Sequence, residues 1–152
     1  MNSLDKVSDV ELASAFKERF RIPDGDLIRS SQDAVNHLAT YLGGKLSREA
    51  FYVVFLSGRN QVIATEKLFE GTLTSSAVYP REIVKRSLEL NAAAVILAHN
   101  HPSGNTNPSS DDRAITQKIA AACKTVDVSV HDHLILTPGG GGFNSFADLG
   151  LL

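Results

Sequence analysis

The uncharged run from Ala92 to Ala98 leads straight into His99-Asn100-His101, and that junction limits what this chain can become. Val95 and Ile96 are β-branched and no charge interrupts the run, the mark of a strand buried on both faces. His99 and His101 are two positions apart, so on a strand both imidazoles leave from the same face. The following Pro102-Ser-Gly-Asn-Thr-Asn-Pro108 can continue neither strand nor helix and must turn. Ser109-Ser110-Asp111-Asp112 then sets hydroxyls and carboxylates ahead of a helical pattern, an N-cap signature. Two imidazoles and a carboxylate are thus delivered by two rigid elements joined through one loop.

Two nitrogens and one oxygen suit Zn2+, with the fourth tetrahedral position left open for water. An open site of this kind is catalytic in type, because the metal lowers the pKa of bound water to about 7 and polarises a carbonyl. The plainer reading makes His99 and His101 buried polar residues at a strand end and Asp112 a helix-favouring charge. The loop, Ser109 and Asp112 at these offsets favour the metal site.

The pattern His99-x-His101, seven residues, Ser109, two residues, Asp112 resembles the JAMM motif of the MPN/JAB metalloprotease fold. His-Asn-His-Pro-Ser-Gly with Pro108-Ser109 following is similar to the RadC branch of that fold. The likeness runs from about Ser47 to Leu152 and takes in Tyr79-Pro80-Arg81-Glu82, Asp132-His133-Leu134-Ile135 and the tail from Ser145. It implies an α/β domain of the cytidine-deaminase-like type: a mixed β-sheet flanked by helices, with zinc at the sheet's edge. By the same likeness His99, His101 and Asp112 are the metal ligands, and Asp111, one residue off the motif spacing, faces solvent. The family's general acid/base is a glutamate at the start of the first core strand, and Glu49 stands there, with Glu70 and Glu66 as fallbacks. Ser109 matches the motif serine, expected to donate a hydrogen bond to the oxyanion of an attacked carbonyl; it also suits helix capping, its backbone serving the cap while its hydroxyl faces the metal.

The remaining chain supplies a frame. Residues 1–30 are predicted to form a helical N-terminal extension and 31–152 the RadC-like MPN/JAB domain. Val7 to Phe20 has helical spacing, with Ser8 and Glu11 as a capping box, and Ile22-Pro23-Asp24-Gly25 breaks it. RadC-like proteins carry a longer N-terminal region with a helix-hairpin-helix flavour, for which this extension is too short. Ala34, Val35, Leu38, Ala39 and Leu42 form the apolar face of a second helix that stops at Gly43-Gly44, and His37 falls on its polar side. Phe51 to Leu56 is apolar on both faces, a central strand, and returns through Ser57-Gly58-Arg59-Asn60 as a hairpin over Gln61–Phe69. A polar stretch, Thr74-Ser75-Ser76, follows. Pro80 opens a helix to Leu90 whose inner side would be Ile83, Val84, Leu88 and Leu90. After the histidines, a helix from Asp111 to about Thr125 turns Ala114, Ile115, Ile119 and Ala122 inward, and Val126–Leu136 is a strand. Pro138 and Gly139–Gly142 make a hairpin or lid-like loop.

His131 and His133 form a second His-x-His on one strand face, with no third ligand at suitable spacing. Asp132 and His133 are therefore expected to hydrogen-bond near the site, behind the ligands. Cys123 is the sole cysteine, packed in a helix with no base beside it, and a reducing, cytoplasmic setting fits. No segment is apolar for long enough to span a membrane.

A net charge of −2 gives no general pull toward nucleic acid. The expected activity, by resemblance to JAMM peptidases, is metal-assisted hydrolysis of an amide or isopeptide bond in a protein or peptide. Two alternatives differ in kind. One is a DNA-repair or nucleic-acid-processing role for the same metal, which would draw on Arg81, Lys85 and Arg86. The other is a non-catalytic MPN binding module, which would have no need of an intact ligand set.

Overall fold

The computed structural model describes residues 6–20, 25–42, 48–72, 74, 76–137 and 142–152. Ile22, Pro23 and Asp24 of the expected helix break lie outside the described residues, as do Gly43-Gly44, Ser75 and most of the glycine loop. In chain order the elements are α1 (Asp9–Phe20), α2 (Ser31–Leu42), β1 (Ala50–Leu56), β2 (Val62–Glu70), α3 (Pro80–Glu89), β3 (Ala94–Asn100), α4 (Ser110–Lys124), β4 (Ser129–Leu136) and β5 (Phe143–Ser145). The strands form one mixed sheet in the order β2-β1-β3-β4-β5. β3 runs antiparallel to β1 and parallel to β4.

Helices cover both faces of the sheet, and this makes β1 and β3 buried at every position. Tyr52, Val54 and Leu56 of β1 and Ala94, Ile96 and Ala98 of β3 pack with Ala34 and Leu38 of α2. Phe51, Val53, Phe55, Val95 and Leu97 face the other way, onto Ile83 of α3 and Ile115, Ile119 and Cys123 of α4. The strict alternation places His99 on the α3/α4 face. Phe51 and Phe55 are fully buried, and truncating either to alanine would cost about 3–5 kcal/mol. β3 is the middle strand, so the histidines stand at the end of the sheet where its carboxyl terminus emerges.

Five expectations need correction. His37 is only 7% exposed: it sits between Ala34 and Leu38 on the inward stripe of α2, and both ring nitrogens are satisfied, Nδ1 by Asp26 (2.8 Å) and Nε2 by Thr65 (2.7 Å). Leu88 is exposed, and Ser87 takes the inner position by donating its hydroxyl proton to the Ile83 carbonyl (2.7 Å). The buried stripe of α4 is Asp112, Ile115, Thr116, Ile119 and Cys123; Ala114 faces solvent. β4 begins only at Ser129, after a turn in which Asp127 takes φ +58°. Its pairing with β3 then skips His131, passing from Val95–Val130 to Ile96–Asp132. That bulge reverses the facing of the chain, so exposed His131 and buried His133 do not share a face. The capping box of α1 forms as expected: the Ser8 N–H donates to Glu11 (2.9 Å) and the Glu11 N–H to the Ser8 hydroxyl (3.2 Å). Among the described residues no helix is long and apolar enough to cross a membrane.

Candidate metal centre

β3 delivers its last inward side chain, His99, into a site where it is 1% exposed. His101 follows just past the strand, its ring 4.6 Å from that of His99 and nearly perpendicular to it. Antiparallel pairing sets Phe51 opposite His99, which brings the start of β1 alongside. Glu49 therefore reaches His99 across the sheet, Oε1 to Nε2 at 2.7 Å. One ligand atom from each of Glu49, His99 and His101 lies within 4.8 Å of the others, a group able to hold a metal ion.

Asp112 approaches from the first turn of α4. Its Oδ1 is 3.2 Å from His99 Nδ1 and its Oδ2 is 3.4 Å from His101 Nε2. A capping box fixes it there. The Ser109 N–H donates to Asp112 Oδ2 (2.8 Å) and the Asp112 N–H to Ser109 Oγ (3.0 Å). The Ser109 side chain itself is thus the cap, contrary to the expectation of backbone capping alone, while its hydroxyl proton stays available for donation. Burial works to raise the Asp112 carboxyl, but the His99 imidazole and Ser109 outweigh it and hold the group well below the usual carboxylate range.

A hydrogen-bond partner orients the His101 ring. The Asn105 carbonyl can only accept, so His101 Nδ1 donates to it and Nε2 is the nitrogen that faces Asp112. His99 Nε2 is paired with Glu49 Oε1, and His99 Nδ1 is buried with no hydrogen-bond partner, 3.2 Å from Asp112 Oδ1. One ring nitrogen of each histidine thus lies within 3.4 Å of the buried Asp112 carboxylate. A cation among these groups would be shared by nitrogen and oxygen donors, a set that suits zinc.

A further layer packs behind His99 and Asp112. His133 is fully buried, stacked on Phe146 at 4.7 Å and edge-on to Phe51 at 5.6 Å. Burial, helped by the neighbouring His99, lowers its pKa to about 3, so it is neutral. Thr116 donates its one hydroxyl proton to the Asp112 carbonyl (2.6 Å) and accepts from His133 Nδ1. Through Thr116, His133 is linked to the turn that carries Asp112. Asp132 meets His133 through the backbone, its Oδ1 accepting the His133 N–H at 2.7 Å. Its carboxylate accepts from Ser145 Oγ (2.6 Å) and the Ala147 N–H (3.0 Å), anchoring the terminal turn on the α2 side.

The fallback glutamates are engaged elsewhere, Glu66 with Arg86 (2.9 Å) and Glu70 with Lys67 (2.8 Å). Asp111 is exposed, as its offset from the motif implied. Asn100, Thr116 and Asn144 escape sequence reasoning because each acts through a distant partner. The one local signal is Thr116, a helical turn after Asp112.

Comparison with known proteins gives the family. The family model described as RadC-like JAB domain matches residues 28–151. The chain is 51% identical over 131 residues to a UPF0758 protein of Photobacterium profundum, covering 86% of this chain but 57% of that relative. It is 48% identical over 143 residues to the UPF0758 protein YfjY of Escherichia coli, covering 94% of this chain and 88% of the relative. A second Escherichia coli relative, YkfG, is 54% identical over 107 residues.

Proposed function

From the premise that the chain belongs to the RadC-like JAB domain family, we propose that it is a zinc-dependent hydrolase acting on an amide or isopeptide bond of a protein or peptide. One observation carries the reading: His99 Nδ1 and His101 Nε2 converge on the Asp112 carboxylate, at 3.2 and 3.4 Å, while Glu49 stands beside His99 at 2.7 Å. In this reading His99, His101 and Asp112 hold the ion. Bound there, zinc supplies a water activated near neutral pH and a Lewis acid for the carbonyl.

The division of labour between the carboxylates follows from burial. Asp112 is 2% exposed and remains an anion far into acid, which suits a ligand. A proton carrier must meet substrate, and the Glu49 side chain is 25% exposed at the open side of the site. Glu49 takes a proton on its carboxylate and returns it to the leaving amine. Ser109 donates its hydroxyl proton to the oxygen of the attacked carbonyl. The choice of an amide rests on the likeness to JAMM peptidases. The nucleic-acid alternative gains nothing from α3, where Arg86 is held by Glu66 and Glu89 and Arg81 lies 3.8 Å from Glu82.

Elemental analysis of the purified chain and of the His101→Ala/Asp112→Ala variant tests the metal. Stoichiometric zinc in the first and its loss in the second would justify screening peptide and isopeptide substrates against Glu49→Gln. A metal-replete preparation that holds no ion would overturn the hydrolase reading in favour of a binding module.

A further inference from the structure

Asn100 stands between the two histidines in sequence, yet its side chain does something different. As the last residue of β3 it is fully buried, and alternation turns it away from the face used by His99 and His101. Its carboxamide reaches across to the entry of β1. Oδ1 accepts the Ala50 N–H at 2.8 Å, and Nδ2 donates to the Arg48 carbonyl at 2.7 Å. A backbone donor and a backbone acceptor fix the amide's orientation, since the flipped form would set like groups against each other. The two bonds fall on the residues immediately before and after Glu49. The Glu49 carbonyl accepts a third, from the Gly71 N–H at 2.8 Å, and Gly71 holds φ +126°, which L side chains rarely adopt.

We propose that Asn100 is the positioning residue for Glu49: its carboxamide extends the β3–β1 ladder past the last strand pair and sets the Glu49 backbone so that the carboxylate meets the metal site. This rests on the hydrolase reading above. The physical need is plain. Glu49 precedes β1 and lies outside regular pairing, and a proton carrier displaced by about 1 Å loses its reach to the reacting water. One residue type thus couples two functions, because the strand that aims the histidines also aims the base.

Cobalt in place of zinc, followed by its visible absorption against pH, reads the group beside the metal. Asn100→Ala should bind Co2+ as the wild type does, yet move the pH midpoint in the direction of Glu49→Gln, by about one unit. The Asn100→Ala/Glu49→Gln double variant should move no further than Glu49→Gln alone. Asn100→Asp keeps the acceptor for Ala50 and loses the donor to Arg48, so it gives a partial shift even where the alanine variant folds poorly. A wild-type midpoint in both Asn100 variants, or additive shifts in the double variant, overturns the proposal. In metal-free protein, Ala50 amide exchange should rise about tenfold in Asn100→Ala while the Val53 and Leu97 amides keep their protection. If the wild type binds no cobalt, the hydrolase reading falls, and unchanged Ala50 exchange would then refute the clamp on its own.

Discussion

His99 Nε2 meets Glu49 Oε1 at 2.7 Å across a separation of 50 residues. The contact exists because β1 and β3 pair antiparallel, with Phe51 opposite His99, so that the entrance to one strand lies beside the exit of the other. Sheet register brings His99 and Glu49 together without any loop having to close.

Glu49→Gln separates the two roles. Glutamine matches the shape of the carboxylate but cannot carry the proton. Zinc content and thermal stability should stay near wild type, while hydrolysis of any peptide substrate falls about 10²–10⁴-fold. Loss of zinc in this variant would make Glu49 a ligand and remove it as general base.

The buried His37 is a structural pin. Its ring joins Asp26, α2 and the Thr65 hydroxyl of β2 by two hydrogen bonds. His37→Ala leaves Thr65 without that partner and opens a gap beneath α2, at a cost of about 1–3 kcal/mol. Urea denaturation measures it. A change within about 0.5 kcal/mol, typical of a surface site, would contradict the pin.

Much of this architecture is legible in the sequence, and the reasons are local. The run Ala92–Ala98 reads as a buried strand because burial on both faces removes any alternation, and Ser109 to Asp112 reads as a helix start because capping is a matter of adjacent residues. Resemblance to a family then picked Glu49, which no local pattern distinguishes from other strand-end carboxylates. What stayed hidden depends on tertiary partners. His37 reads as a surface residue until Asp26 and Thr65 fold against it. His131 and His133 read as one face until the bulge at His131 shifts the register. Asn100 reads as a spacer until the β1 entry arrives beside it.

His133 gives the metal-free protein a pH signature. Its folded pKa lies near 3 against an ordinary 6.5, through burial first and the nearby His99 second. The unfolded chain therefore takes up a proton between those values that the folded chain refuses. Full stability is present above about pH 6.5 and is lost progressively as the pH falls toward 3. Denaturant titrations with chelator present should show that decline in the wild type and a shallower one in His133→Phe. Parallel profiles would place the acid sensitivity in other groups.

The loop that carries the motif is tied down from the far side of the sheet. Asn144 of β5 donates through Nδ2 to the Thr106 carbonyl and hydroxyl, each at 2.9 Å. Thr106 lies between His101 and Ser109, and His101 leans on the next carbonyl back, that of Asn105. Asn144→Ala should thus leave the core untouched and loosen the segment that aims His101. Outer contacts of this kind are worth about 10–100-fold in metal affinity, and the lower end is expected here because Asp112 is fixed independently by its capping box. Competition against a chelator of known affinity reads the change, and circular dichroism reports whether the fold persists. Weakened binding with an intact fold would tie β5 to the metal centre. Unchanged binding would mean that the capping box and β3 suffice to hold the site.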